Sequence, residues 1–279
     1  MTDIDIRAMT QADIEPAAAV YRSGGWGERR EMLEWALANP ATQVLVGVVD
    51  GSVVATGMAT INGPVGWVGS IFVDTTCRNR GYGRAMTEAA CALIDAAGCR
   101  TQVLIASKYG KPLYDKMGFR VEEHYQILEA PPLAAPPVPP PGRILRPMSP
   151  EDLDRVCALD CRATGEDRSC LVGSIAGSGW VLESADELRG FLVSIHPDSG
   201  ALVAIDIGAA VCLLDQLRYR AGGRAETVRA AVPHGHEAGW RGLELLGWNP
   251  TFRTPRMLRG PAVDWDPTLI WSVLSFAFG

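Results

Sequence analysis

Three guanidinium groups and two glycines fall within one short stretch, Arg78-Asn79-Arg80-Gly81-Tyr82-Gly83-Arg84-Ala85. Glycines at 81 and 83 leave the backbone bare, so its N–H groups can turn inward and approach an anion closely. A helix opening at this point adds the positive end of its dipole to the charge of the arginines. Together these groups suit a diphosphate. The third glycine of a dinucleotide fingerprint would fall at Met86, and no Gly-Lys-Ser/Thr follows, so the loop is neither a G-x-G-x-x-G turn nor a P-loop.

The elements that must hold this loop are readable on either side. Val68-Gly69-Ser70-Ile71-Phe72-Val73 is an apolar, β-branched run and predicts a strand leading into it. Met86, Ala89, Ala90, Leu93, Ile94 and Ala97 share one helical face after it, with Gly98 as the cap. Earlier, the segment from Val44 to Gly57 reads as a hairpin turning at Asp50-Gly51. Later, Val103-Leu104-Ile105-Ala106 predicts another strand. It is followed by a short helix that Gly118 ends in the left-handed conformation, and Phe119 begins the next strand. The order is strand, helices, a meander of strands, then strand-helix-strand.

Arg-x-x-Gly-x-Gly between a strand and a helix resembles the coenzyme A pyrophosphate loop of the GNAT superfamily of N-acetyltransferases. Leu113-Tyr114-Asp115-Lys116-Met117-Gly118-Phe119 resembles the GNAT segment whose helix carries a tyrosine toward the coenzyme sulfur. The resemblance implies acetyl-CoA as co-substrate, with its diphosphate on Arg78, Asn79, Arg80, Gly81, Tyr82, Gly83 and Arg84. It places the pantetheine arm beside Ile71, Phe72 and Val73, with Ser107 near the arm. Tyr114 becomes the general acid, because a phenol pKa of roughly 10 lies above that of a departing thiol and makes proton donation downhill. The implied reaction is direct acetyl transfer to a primary amine of a small molecule, with no metal.

At 279 residues the chain has the length of two ordinary domains, and 47% hydrophobic content supplies real cores. A net charge of -6 argues against a nucleic-acid binder. No segment approaches a membrane-spanning apolar run, and the acidic start, Met1 to Asp5, lacks a signal-peptide core. Seven scattered cysteines without a Cys-x-x-Cys indicate neither disulfides nor zinc, which points to a reduced cytoplasm.

A proline-dense segment from Pro131 to Pro141 forbids helix and central strand, and marks residues 131–142 as a linker. Either side of it the sequence repeats: Ile6-Arg7-Ala8-Met9-Thr10 through Ile14 matches Leu145-Arg146-Pro147-Met148-Ser149 through Leu153. Leu113 to Phe119 has a looser counterpart in Leu243 to Trp248. The expected fold is therefore α/β, of the α+β kind, with two tandem GNAT-like domains. Each would be a mixed, mostly antiparallel sheet flanked by helices, at residues 1–130 and 143–279. The second lacks the arginine-glycine loop before its helical segment Ala209 to Asp215, and Leu243 falls near the place of Tyr114. It reads as a degenerate copy without coenzyme, as in bacterial tandem-GNAT proteins.

On the acceptor side Ser23-Gly24-Gly25-Trp26-Gly27 precedes Glu28, Glu31 and Glu34. Trp26 is a candidate wall and Glu28 a candidate holder of an ammonium group, although acids in a first helical turn ordinarily face solvent and favour the dipole. No general base is readable. Asp167, in the charged cluster Gly165-Glu166-Asp167-Arg168, is a candidate for reading a cationic acceptor, against the plainer reading of a solvated helix end. His124 reads as a surface histidine, His234-Gly235-His236 as loop, Cys77 as a small structural residue, and Leu269 to Phe278 as a last strand buried in the second core. Two other functions stay open: a coenzyme A-binding or sensing module without transfer, and a tandem scaffold whose second half mediates assembly, as in a homodimer.

Overall fold

The computed structural model describes residues 4–279; Met1, Thr2 and Asp3 of the acidic start lie outside the described residues. Contacts divide the chain into two compact units. The first runs to Leu104 and takes in Arg259–Pro261 and Phe276–Phe278. The second comprises Ile105–Leu258, Ala262–Ser275 and Gly279. That division falls before the linker picked out by composition, and its cause is sheet pairing.

The first unit carries β1 (Asp5–Ala8), α1 (Ile14–Ser23), α2 (Arg30–Ala38), β2 (Thr42–Val49), β3 (Ser52–Asn62), β4 (Val65–Val73), α3 (Tyr82–Ala96) and the start of β5 (Thr101–Ile105). Its strands lie in the order β1-β2-β3-β4-β5, antiparallel until the last pair. The β2–β3 hairpin turns at Asp50 and Gly51, both with positive φ (50° and 78°), as the twist of a two-residue turn demands. Met86, Ala90 and Ile94 are buried along α3 as its periodicity predicts. Gly66 lies flush against Ile94, because a Cβ there would stand 2.2 Å from that side chain.

The second unit continues with α4 (Lys111–Lys116), β6 (Arg120–Ala130), β7 (Ile144–Pro147), α5 (Leu153–Thr164), α6 (Ser169–Ile175), β8 (Trp180–Ser184), β9 (Glu187–His196) and β10 (Ser199–Ala204). Then come α7 (Ile207–Arg220), β11 (Val228–Pro233), α8 (Glu237–Leu245), β12 (Asn249–Arg259) and β13 (Ile270–Ser272). From β7 to β12 this order repeats that of β1 to β6. Five strands form a sheet in the order β13-β10-β9-β8-β7. β6, encoded before the linker, pairs antiparallel with β11 along one edge and β12 along the other. Packing α7 and α8 over these strands buries Leu128, Leu182, Leu192, Leu202, Leu213, Leu217, Val232, Trp240 and Trp271 in one core.

The proline-dense segment has no regular element and is pinned to the second unit. Leu133 donates its N–H to the Arg218 carbonyl (3.1 Å), and Arg218 Nε returns a bond to Pro131 (2.8 Å). The end of the chain departs from the single buried strand expected for Leu269 to Phe278. Only Ile270–Ser272 joins the sheet, beside β10, whereas Phe276–Phe278 belongs to the first unit. There Ala277 fills the room left by the missing side chain of Gly69, and the Phe278 ring meets Trp35 edge-on at 5.0 Å. Among the described residues no helix is long and apolar enough to cross a membrane, and all seven cysteines are free.

The repeat is visible atom by atom at the start of each half. Arg7 forks onto Asp13 through two 2.7 Å bonds, and the same carboxylate accepts the Thr10 N–H at 2.8 Å. Arg146 forks onto Asp152 at 2.7 and 2.8 Å, and Asp152 accepts the Ser149 N–H at 2.8 Å. In the second copy Arg155 and Glu183 extend the pair into a network. Arg7 and Arg146 hold these two carboxyls well below the usual carboxylate range. Stability from such groups is present above the ordinary carboxylate value of 3.8 and is lost as pH falls toward the lowered one. Asp152→Asn should therefore cost about 1–3 kcal/mol at neutral pH, the smaller figure reflecting arginines that are one-third exposed and can rehydrate. Denaturant unfolding from pH 7 to 3 should show the variant losing less stability below pH 4 than the parent.

Candidate active site

β4 and β5 are parallel neighbours for three pairs, from Val65↔Thr101 to Trp67↔Val103, and β4 continues to Val73 beyond them. Register slips between Met58↔Gly69 and Thr56↔Phe72 mark a bulge centred on Ser70, whose φ is 53°. The Ser70 carbonyl is turned into the unit, where Thr56 Oγ1 (2.9 Å) and Tyr21 Oη (3.3 Å) donate to it. The bulge re-aims Ile71, Phe72 and Val73, which lead directly into the arginine-glycine loop. Asp74 closes the first turn of that loop by accepting the Thr76 N–H at 2.9 Å.

Gly81 is the N-cap of α3 with φ 87°, a conformation that costs other residues roughly 1–2 kcal/mol. No side chain caps this helix. A Cβ on Gly81 would meet nothing within 4 Å, and one on Gly83 only Val73 at 3.8 Å, so the mouth of α3 is open. Arg78, Asn79, Arg80 and Arg84 are exposed around it. Arg78 lies 5.2 Å over the Phe72 ring and donates from Nε to the Val73 carbonyl. Arg84 reaches Glu88 one turn on. Tyr82 is buried at the first turn. An anion with several oxygens fits this loop, which supplies backbone donors, a dipole and cations without a carboxylate in the cap position.

The matching helix of the second half is built the opposite way. Asp206 is the N-cap of α7, its carboxylate accepting the Ala209 N–H at 2.9 Å. Arg143 and Arg189 each pair with that carboxylate at 2.8 Å and keep its pKa low despite partial burial. An anion of the chain's own already occupies this helix end.

Tyr114 and Ser107 lie in the second unit. Tyr114 is a buried residue of α4, its ring 6.0 Å from Phe119. Gly110 makes room for it, since a Cβ there would come within 2.8 Å of the ring. Gly118 (φ 84°) ends α4, and the Phe119 N–H returns to the Tyr114 carbonyl. The second copy reproduces the turn with Gly247 (φ 88°) and Trp248 bonded to Leu243, which stands where the first copy has its phenol. The Ser107 hydroxyl accepts the Gly110 N–H at 3.1 Å and so starts α4.

On the α1–α2 side, Trp26, Phe72 and Tyr21 form an aromatic cluster. Trp26 stands 5.4 Å from Phe72 and 6.4 Å from Tyr21, with Phe72 and Tyr21 5.9 Å apart. Trp26 is 46% exposed and so presents a free face. Glu28 is fully engaged: it pairs with Arg22 at 2.8 Å and accepts the N–H groups of Arg29 and Arg30.

Asp167 is exposed and spent locally on Ser169 at the start of α6. Its neighbours overturn the reading of this cluster as a solvated helix end. Glu166 and Arg168 are buried, because Asp160 forks onto Arg168 from α5 and Arg256 of β12 approaches Glu166 at 3.9 Å. Arg256 itself pairs with Glu122, lies 4.6 Å over the Trp265 ring, and has its pKa pulled to about 10 by burial. Nothing in the sequence around Arg256 marks it for burial.

His234 and His236 pack on Trp240 and Trp271, and burial lowers the His236 pKa. Among the described residues no group of His, Cys, Asp and Glu could hold a metal ion.

The sequence matches the acetyltransferase (GNAT) family over residues 8–119 and the acetyltransferase (GNAT) domain over residues 156–272. The chain belongs to the GNAT family and carries two copies of its domain in tandem. Its fold is similar to that of a Pyrococcus horikoshii protein assigned as an acetyltransferase: TM-score 0.84, 21% identity, 99% of this chain and 96% of that one. A tandem GNAT protein from the clavulanic acid biosynthesis pathway is similar at TM-score 0.67 and 18% identity, over 93% of this chain and all of that one. Glucosamine 6-phosphate N-acetyltransferase of Trypanosoma brucei brucei is 32% identical over 65 residues, 23% of this chain and 44% of that protein.

Gly24 sets the aromatic cluster, because a Cβ there would stand 1.9 Å from the Phe72 ring. Gly24→Ala should cost about 1–3 kcal/mol through overpacking, read as a lowered thermal midpoint.

Proposed function

We propose that the first repeat binds acetyl-CoA and moves its acetyl group directly to a primary amine of a small molecule, while the second repeat binds no coenzyme. One contrast carries this reading: α3 opens on Gly81 among three arginines, whereas α7 opens on Asp206. When bound, the coenzyme supplies an activated thioester. Arg78, Asn79, Arg80, Gly81, Tyr82, Gly83 and Arg84 hold its diphosphate. Backbone groups of Ile71, Phe72 and Val73 hold the arm, and an N–H among them polarises the carbonyl oxygen as charge develops. Ser107 stands by the arm.

Tyr114 donates its proton to the thiolate as the carbon–sulfur bond breaks, and the amine's surplus proton leaves to solvent. The amine attacks in its neutral form. No metal takes part. The relative that acts on an amino sugar supports a small amine as the acceptor class. Free cysteines throughout support a reduced, cytoplasmic setting.

Two measurements test the reading. Calorimetry with acetyl-CoA should give one site per chain, and two sites would overturn the account of the second repeat. Tyr114→Phe should lower kcat by about 100-fold with the coenzyme Kd unchanged, and full turnover would remove the acid role.

A further inference from the structure

Carboxylates around the α1–α2 loop are largely taken. Glu15 pairs with Arg22 and Arg30, Glu28 with Arg22, and Glu34 with Arg30. Glu31 is exposed on α2. Arg29 is the exception among the cations: among the described residues it has no carboxylate within ion-pair distance. It is nonetheless fixed, because its Nε donates to the Trp26 carbonyl at 3.0 Å. That bond ties a cation to the residue whose ring forms the exposed side of the aromatic cluster. The Trp26 N–H in turn bonds the Tyr21 carbonyl at 3.1 Å, so loop, ring and guanidinium are held as one piece. Burial raises the Tyr21 pKa, and the positive charge of Arg29 works against that rise. Phe72 neighbours both Trp26 and Arg78, so the cluster adjoins the arginine-glycine loop.

We infer that Arg29 receives an anionic group on the acceptor, so that the substrate is an amine that also carries a carboxylate or a phosphate, with its body laid against Trp26 and Phe72. This rests on the transferase reading above and names the substrate class for it. A guanidinium presents its remaining N–H donors as a fork that matches two oxygens of either group. A tryptophan face takes an aromatic side chain or the C–H face of a sugar with little loss of rotamer freedom. At this loop Glu28 already pairs with Arg22, whereas the Arg29 guanidinium has no carboxylate beside it among the described residues.

Matched pairs test the inference on the full chain loaded with coenzyme A. Binding of glucosamine 6-phosphate against glucosamine, and of phenylalanine against phenethylamine, is measured by calorimetry. Thiol release from acetyl-CoA is followed in parallel with the same amines. The anionic member of at least one pair should bind tenfold or more tightly than its partner. A sugar-phosphate preference identifies phosphate as the group, and an amino-acid preference identifies carboxylate. Arg29→Gln should bring the ratio close to one while acetyl-CoA still binds, and Arg29→Lys should keep part of it. A ratio unchanged in Arg29→Gln, tighter binding of the uncharged members, or binding of none would overturn the inference. Binding with the expected ratio but no thiol release would instead count against the transferase reading alone.

Discussion

An N–H group that a helix's own cap residue satisfies is closed to a ligand, and a carboxylate at the cap repels an incoming anion. This constraint separates the two halves of the chain. Each half has a strand running into a helix at the same point of the fold, so the dipole and the orphan donors are available twice. In the first half the cap is Gly81, whose left-handed backbone is tolerated without a side chain, and arginines stand around an open mouth. In the second half Asp206 folds back onto Ala209 and is neutralised by Arg143 and Arg189. One topology therefore yields an uncapped helix end in the first half and a closed, self-satisfied one in the second. Leu243 in place of Tyr114 follows the same division, with the turn retained and the phenol absent.

Much of this was legible because it depends on local backbone sign and short periods. Gly81, Gly98, Gly118 and the Asp50-Gly51 turn all adopt positive φ. The pattern Met86, Ala90, Ile94 marks a buried face wherever a helix forms. The Arg-x-Met-[Thr/Ser] repeat is short, yet it encodes the fork onto Asp13 and Asp152 that starts each domain.

What the sequence concealed depends on partners far along the chain. Glu166 and Arg168 have the composition of a solvated helix end, and only Asp160 and Arg256 make them interior. Glu28 reads as an available acid until Arg22, projecting from the preceding helix, is seen to hold it. The isolation of Arg29 is then a remainder left by its neighbours' pairings, which no motif can record. Likewise, Phe276–Phe278 joins the first unit because Gly69 leaves a gap of the right size, a match of two positions some two hundred residues apart.

The placement of β6 has a bearing on where the chain can be cut. A strand translated before the linker has both of its edges hydrogen-bonded by strands translated after it. Neither edge of β6 is paired by a strand encoded before the linker. A fragment ending at the prolines would lack the partners of both edges of β6 and expose two rows of unpaired amides, a template for fibrils or for promiscuous dimers.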